Sequence, residues 1–357
     1  MIKTPHFHFL ALIFTIQTGK EAFGFLLSSN PTTSRSSSRN SQQSNTQREK
    51  DAVALNANLI TFDLDDTIFP VAPVVADANK ALFKHLKSLG CETTQDEYVK
   101  TTKEIRVELA KDDKVITYTE LRKRAIRAEL ERHLSGDDIS DSIVSRSYDI
   151  WEEYRHTAAE TYLYPGTISM LKELKTNHPH AVIAAITNGK GNPLKMDSIR
   201  EFFDFCVSGE DDDVFPLRKP NEGIYKVALE RALSETRKGG EPPIDIETKE
   251  REGEEEEPWC WIHVGDDLAN DVGASAKCGA KAIWVDLGDK YNQTALKRDP
   301  SQPQPAWSTA TKEELETRKL LDEQAQKYAS KRVTTLEMLP LEIENITQSV
   351  VQAALRR

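Results

Sequence analysis

No Cys-x-x-Cys pair and no Cys/His cluster occurs in the 357 residues. The four cysteines, Cys91, Cys206, Cys260 and Cys278, stand far apart, so neither a thiolate zinc site nor a disulfide framework is indicated. They read as free thiols, which are usually buried. A basic excess is also missing. Lys and Arg number 47 against 58 Asp and Glu, for a formal net charge of −11. That balance argues against general nucleic-acid binding, which needs a positive footprint. It leaves room for a small anionic substrate, because a local pocket can be positive on an acidic protein. The apolar stretch Phe7 to Ile16 is too short to span a membrane, and no internal repeat is evident.

That stretch, with Lys3 before it, has the form of a signal-peptide core over residues 1–22. Residues 23–54 are rich in Ser, Thr, Asn and Arg, and bury too little to fold. Together they resemble the bipartite plastid presequence of algae with secondary plastids, with Phe23 as the residue after cleavage. A mitochondrial presequence is the alternative. Either implies a mature form with no membrane segment.

A folded region begins near Leu55, and "NLITFDL" has the density of a central parallel strand. From Val71 to about residue 163, four segments space their apolar residues at three and four, which predicts a small helical bundle. Beyond it, helices and short apolar strands alternate: "AVIAAITNG", "FCVSGE", "WCWIHVGDD" and "KAIWVDL" are the strands. "PLKMDSIREFFD" reads as a helix, and "VTTLEMLP" as a last short strand and turn. The pattern predicts an α/β fold, a doubly wound parallel sheet, with an inserted helical domain. Two stretches interrupt it, an acidic loop over 238–258 and a partly Pro-rich insertion over 288–330.

In a doubly wound sheet, ligands bind at the C-terminal ends of the strands. Asp63 and Asp65 follow "LITF" there. Residues two apart in an extended segment share a face, so both carboxylates address one pocket, whereas Asp66 points away. Thr187 ends "AVIAAIT", and the hydroxyl and free N–H groups of Thr187-Asn188-Gly189 suit phosphate oxygens. Lys219 precedes Pro220 and a helix. It can serve as a point charge for phosphate, though alone it reads as a surface lysine. Asp266 and Asp267 end "WIHVG", with Asp271 a turn later, and acids there could hold a hard cation such as Mg2+.

Asp63-Leu-Asp65-Asp-Thr67, Thr187 in "ITNG", Lys219 in "RKP" and "GDDLAND" stand in the order of four motifs of the haloacid dehalogenase superfamily. The pattern resembles that of its phosphatase members, over about Asn58 to Leu287. The helices of 71–163 resemble the α-helical cap of the first cap class, leaving 55–70 and 164–357 as the core. "SGEDDDVFPLRKP" is longer and more acidic than the usual link to the lysine, and the two interruptions depart from the pattern as well.

The resemblance implies an Mg2+-dependent phosphatase acting on a small phosphate ester such as a sugar phosphate, a nucleotide or flavin mononucleotide. Asp63 would be the nucleophile, Asp65 the general acid and base, and Lys219 the charge neutraliser. Thr187, Asn188 and Lys219 would hold the phosphate. The metal ligands would be Asp63, Asp65 through its carbonyl, and Asp266, with Asp267 or Asp271 positioning the lysine or metal-bound water. The family's dehalogenases lack the acid corresponding to Asp65, because a halide leaves without a proton. A phosphotransferase would use the same residues, and a catalytically idle docking module is the alternative of a different class. Arg106, Tyr118, Arg122 and Arg124 are candidate specificity residues, but each reads more readily as part of a solvated helix face, as do His85 and His133. Lys80 and Lys103 sit in no motif that would mark a Schiff-base lysine.

Overall fold

The computed structural model describes residues 57–111, 115–134, 139–238, 259–291, 293, 312–354 and 356. The segment expected to be a presequence, all but the first residue of the acidic stretch 238–258 and the Pro-rich part of the insertion lie outside the described residues.

Six short runs form one sheet: β1 Leu59–Phe62, β2 Val182–Thr187, β3 Phe205–Ser208, β4 Trp261–Gly265, β5 Lys281–Val285 and β6 Ala329–Val333. Every pairing is parallel and the order is β3-β2-β1-β4-β5-β6. β1, β2 and β4 are buried along their whole length, which is why they read as continuous apolar runs. The chain leaves β1 for β2 on one side and later reaches β4 on the other. That reversal opens a crevice at the C-terminal end of β1.

Four helices follow β1: α1 Val71–Ser88, α2 Gln95–Lys111, α3 Tyr118–His133 and α4 Asp141–Thr161. Local chemistry sets their ends. Thr94 and Glu97 form a reciprocal capping box at α2, with Thr94 N–H donating to Glu97 Oε2 at 2.8 Å. Thr117 caps α3 and Ser140 caps α4. After α1, Gly90 takes φ 91, the left-handed conformation that ends helices. The four helices share their own core of Leu82, Leu86, Tyr98, Ile126, Leu130, Tyr148 and Trp151.

The chain then returns to the sheet through α5 Thr167–Asn177, and α6 Glu222–Lys238, the short α7 Ala274–Lys277, α8 Lys312–Ala325 and α9 Leu339–Ala354 complete the layers. Ile60, Phe62, Ile183 and Val264 pack on one face against Met170 and Leu174 of α5 and Ile343 of α9. Leu59, Ala184, Ile186 and Val207 pack on the other against Ile224, Tyr225 and Ala228 of α6. A doubly wound parallel sheet carrying a helical insert is therefore the observed architecture.

Two local expectations are corrected. "PLKMDSIREFFD" is two single turns, Pro193–Lys195 and Arg200–Phe202, because Ser198 between them gives its N–H to Glu160 Oε1 on α4 at 2.7 Å. The last strand is "ASKRV" rather than "VTTLEMLP"; it is an edge strand with exposed side chains, so no apolar run marks it. The following residues enter α9, whose second position is Pro340, where a missing N–H is harmless. The insertion, expected to be partly helical, supplies α8. α8 lies against the helical turn Leu268–Gly273, where Asp322 accepts the Ala269 N–H at 2.9 Å.

Candidate active site

Asp63 continues the β1 ladder, its N–H donating to Val264 O at 2.8 Å, and its side chain is buried. The chain then turns sharply. Asp66 adopts φ 64, and its Oδ1 accepts the Val71 N–H at 3.0 Å, fastening the start of α1. Asp66 is thereby a buried turn residue aimed at α1, away from Asp63. Thr67 closes the turn. Its hydroxyl lies 3.2 Å from Asp63 Oδ2 and 3.4 Å from Asp266 Oδ1, and it accepts the Asp266 N–H at 3.0 Å.

Lys219 crosses to this point from the loop before α6. Its ammonium donates to Asp63 Oδ1 at 2.5 Å, Asp271 Oδ1 at 2.7 Å and Ile186 O at 2.8 Å. All three of the lysine's donors are used inside the protein. Asn188 fixes the lysine's backbone from both sides, its Oδ1 accepting the Lys219 N–H at 2.7 Å and its Nδ2 donating to Lys219 O at 2.9 Å. Behind Asp271 stands His263, with Nε2 3.5 Å from Asp271 Oδ1 and Nδ1 2.8 Å from Thr61 Oγ1. Trp261 Nε1 completes this buried chain by donating to Thr61 Oγ1 at 2.9 Å.

Burial pushes the Asp63 carboxyl up to about 7, with Lys219 opposing and the Asp271 charge reinforcing the rise. Burial works on Asp271 in the same sense, but Lys219 overrides it and holds Asp271 below the usual carboxylate range. Lys219 is held above its ordinary value because Asp271 and Asp63 outweigh its burial. Burial keeps His263 low. Asp63, Asp266 and Asp271 each present an oxygen, all within 4.8 Å of one another. The Lys219 ammonium bonds two of these three buried carboxylates, and together the three form an oxygen-only donor set. Such a set suits a hard divalent cation.

The remaining expected residues divide. Thr187 is buried at the end of β2, and its Oγ1 accepts the Gly189 N–H at 3.2 Å. The Asp65 carboxylate lies outside the group of three and takes Arg155 Nη2 from α4 at 2.7 Å and 2.9 Å. Asp267 and Asp271 are not interchangeable. Asp271 bonds the lysine, whereas Asp267 caps its own turn through the Asn270 N–H at 2.8 Å and pairs with Arg318 of α8. Arg122 is committed to the insert, 3.6 Å from the Trp151 ring centroid and 3.2 Å from Asn79 Oδ1. Arg124 pairs with Glu120 on its own helix, and Arg106 lies half-buried on α2. Tyr118 stands where the insert meets the lysine loop, its ring 4.1 Å from the Arg218 guanidinium.

Four residues received no role in the sequence reading, although Thr67 stands inside the first motif. Thr67 and His263 had a signal, a hydroxyl inside the acidic turn and an imidazole inside an apolar strand. Arg155 and Glu210, whose carboxylate accepts the Thr119 N–H at 2.9 Å beside the lysine loop, had none, since a charged residue on a helix or in a polar loop is ordinary.

The model of the haloacid dehalogenase-like hydrolases matches residues 57–279. The chain belongs to this hydrolase family. The Escherichia coli family relative YigB, a 5-amino-6-(5-phospho-D-ribitylamino)uracil phosphatase, is 25% identical over 231 residues, 63% of this chain and 82% of that one. Protein YMR130W of Saccharomyces cerevisiae is 30% identical over 131 residues, 36% of this chain and 40% of that protein's length. The chain thus spans less than half of this yeast relative. A 2-haloacid dehalogenase from Pseudomonas syringae has the same fold, with a TM-score of 0.54 at 20% identity, covering 81% of this chain and 99% of that one.

Proposed function

We propose that this hydrolase is an Mg2+-dependent phosphatase that cleaves a small phosphorylated metabolite through an aspartyl-phosphate. The observation that carries this over dehalogenation is Asp65, a second carboxylate two residues from Asp63 and only partly buried, with 27% of its side chain exposed. An alkoxide needs a proton to leave and a halide does not.

In this reading Asp63 attacks phosphorus, and the ester P–O bond breaks as the new bond forms. Asp65 gives its proton to the departing oxygen, then takes one from the water that hydrolyses the aspartyl-phosphate. Thr187 and the Asn188 N–H hold phosphate oxygens, and Lys219, fixed by Asn188, stabilises the charge that develops on them. Asp63, Asp266 and the Asp65 carbonyl would hold Mg2+, with Asp271 keeping the lysine in place. Bound there, the ion would offset the repulsion between an anionic nucleophile and an anionic substrate. Helices α1–α4 would act as the cap that closes over the substrate.

The test is release of inorganic phosphate by the purified chain with Mg2+. The panel would hold sugar phosphates, nucleotides, flavin mononucleotide and 5-amino-6-(5-phospho-D-ribitylamino)uracil, the last because the YigB relative is named for it. Turnover of at least one ester is expected, falling by roughly three orders of magnitude or more in Asp63→Asn. No phosphate from any ester, or full activity in that variant, would refute the proposal. Adding an alcohol acceptor separates hydrolysis from transfer, since a transferase would yield a new ester.

A further inference from the structure

Arg155 is the insert's contribution to the catalytic turn, and no sequence motif marks it. Its side chain is 4% exposed, and Nη2 reaches both carboxylate oxygens of Asp65. Nη1 is buried and has no hydrogen-bond partner among the described residues. A buried donor left unpaired is unfavourable, so hydrogen-bond satisfaction of the guanidinium alone does not account for its position. The opposite wall is shaped for it. A Cβ on Gly191 would lie 2.9 Å from Nη1 and 3.3 Å from Nη2, so glycine there leaves the guanidinium its space.

We propose that Arg155 is a positioning residue for proton donation by Asp65. The proposal rests on the phosphatase reading. When the ester P–O bond breaks, the Asp65 proton passes to the leaving oxygen, the alcohol departs neutral, and Asp65 becomes a carboxylate. Negative charge therefore develops on Asp65 during the step. A guanidinium already bonded to both of its oxygens stabilises that charge and fixes the carboxyl's orientation. Because Arg155 sits on α4, Asp65 is complete as an acid only when the insert is seated on the sheet.

A residue that acts through the acid matters in proportion to how much the leaving group needs a proton. An alkoxide needs one and p-nitrophenolate hardly does. The constant to compare is kcat/KM, which reports on the first transfer and not on later hydrolysis of the aspartyl-phosphate. Both esters are assayed with the wild type, Arg155→Lys, Asp65→Asn and the double variant. Arg155→Lys is expected to lower kcat/KM roughly tenfold or more for the alkyl phosphate and less than about threefold for p-nitrophenyl phosphate. In the Asp65→Asn background it is expected to cost less than about twofold on either ester. Gly191→Ala, which keeps the charge but crowds the guanidinium, is expected to show the same leaving-group pattern, and it stands in if Arg155→Lys fails to fold. Equal losses on both esters would overturn the proposal in favour of a structural role. A full Arg155→Lys loss in the Asp65→Asn background, or an effect on KM alone, would overturn it in favour of direct substrate contact. A wild type inactive on both esters, and on the wider panel, is the separate failure of the phosphatase reading, and this proposal falls with it.

Discussion

Gly265 ends β4 with its α-carbon against the Asp271 carboxyl group. A Cβ at this position would run into the Asp271 side chain, which is bonded to Lys219 and flanked by His263. It cannot yield without moving the lysine. Gly265→Ala is therefore expected to lower kcat/KM tenfold or more while costing about 1–3 kcal/mol of stability. Steady-state kinetics and a urea transition check the two parts. Unchanged kinetics with a lower midpoint would show that Asp271 does not set the lysine's position. The same neighbourhood shows which residues the sequence could disclose. Asp63, Thr187 and Asp266 end apolar strands, so their places follow from periodicity and the rule for parallel sheets. The partner of Asp65 does not follow, because Arg155 arrives from 90 residues away on a helix whose charged face looks ordinary. Nor could spacing choose between Asp267 and Asp271. That choice depends on the wide helical turn at Leu268–Gly273, which carries Asp271 back under Gly265.

At the junction between α3 and the lysine loop, where Arg218 meets Tyr118 and Ile116, one carboxylate gathers several donors. Glu210 is buried and accepts the Tyr118 N–H, the Thr119 N–H at 2.9 Å and the Thr119 hydroxyl at 2.5 Å, with Arg218 Nη2 at 3.4 Å. It occupies the N-terminus of α3, where free N–H groups and the helix dipole favour an anion. Glu210→Ala is expected to cost about 1–3 kcal/mol, with Glu210→Gln recovering part, read from the urea midpoint at constant slope. Arg218 adjoins Lys219 in sequence, so kcat/KM should fall as well. A second element-level prediction concerns α4. His156 is buried there, with its folded-state value lowered from 6.5 to about 4 by burial and then by the Arg155 charge. The unfolded chain binds more protons between those values, so stability rises with pH across the window and is lost as pH falls toward 4. His156→Gln should flatten the stability–pH curve between 6.5 and 4, by up to ~3 kcal/mol at the acid end. An unchanged curve would show that His156 does not carry this dependence. The order of helices and strands was legible because buried strands and amphipathic helices have distinct periods. β6 was not legible, since an edge strand needs no apolar run, and neither were the two turns replacing "PLKMDSIREFFD", since Ser198 is drawn out by Glu160 on α4.

At the scale of the molecule, the buried charges come from segments far apart in the chain that only the sheet brings together. Thr67 and Asp266 touch across 199 residues, and Lys219 reaches Asp63 across 156. The unfolded chain has no such cluster, so a cation bound by it must stabilise the fold by mass action. Mg2+ at a hundred times its dissociation constant should add ~2.7 kcal/mol, a rise of roughly 4–5 °C in the melting temperature of a domain this size. Asp266→Asn should abolish the rise, because it removes one of the three carboxylates. Asp66→Asn, altering the acid that fastens α1 outside the cluster, should lower the baseline yet keep the increment. Differential scanning calorimetry with and without a chelator makes the comparison. An increment kept in Asp266→Asn and lost in Asp66→Asn would place the ion at the turn beside α1 instead. It would also separate the buried carboxylates from the metal.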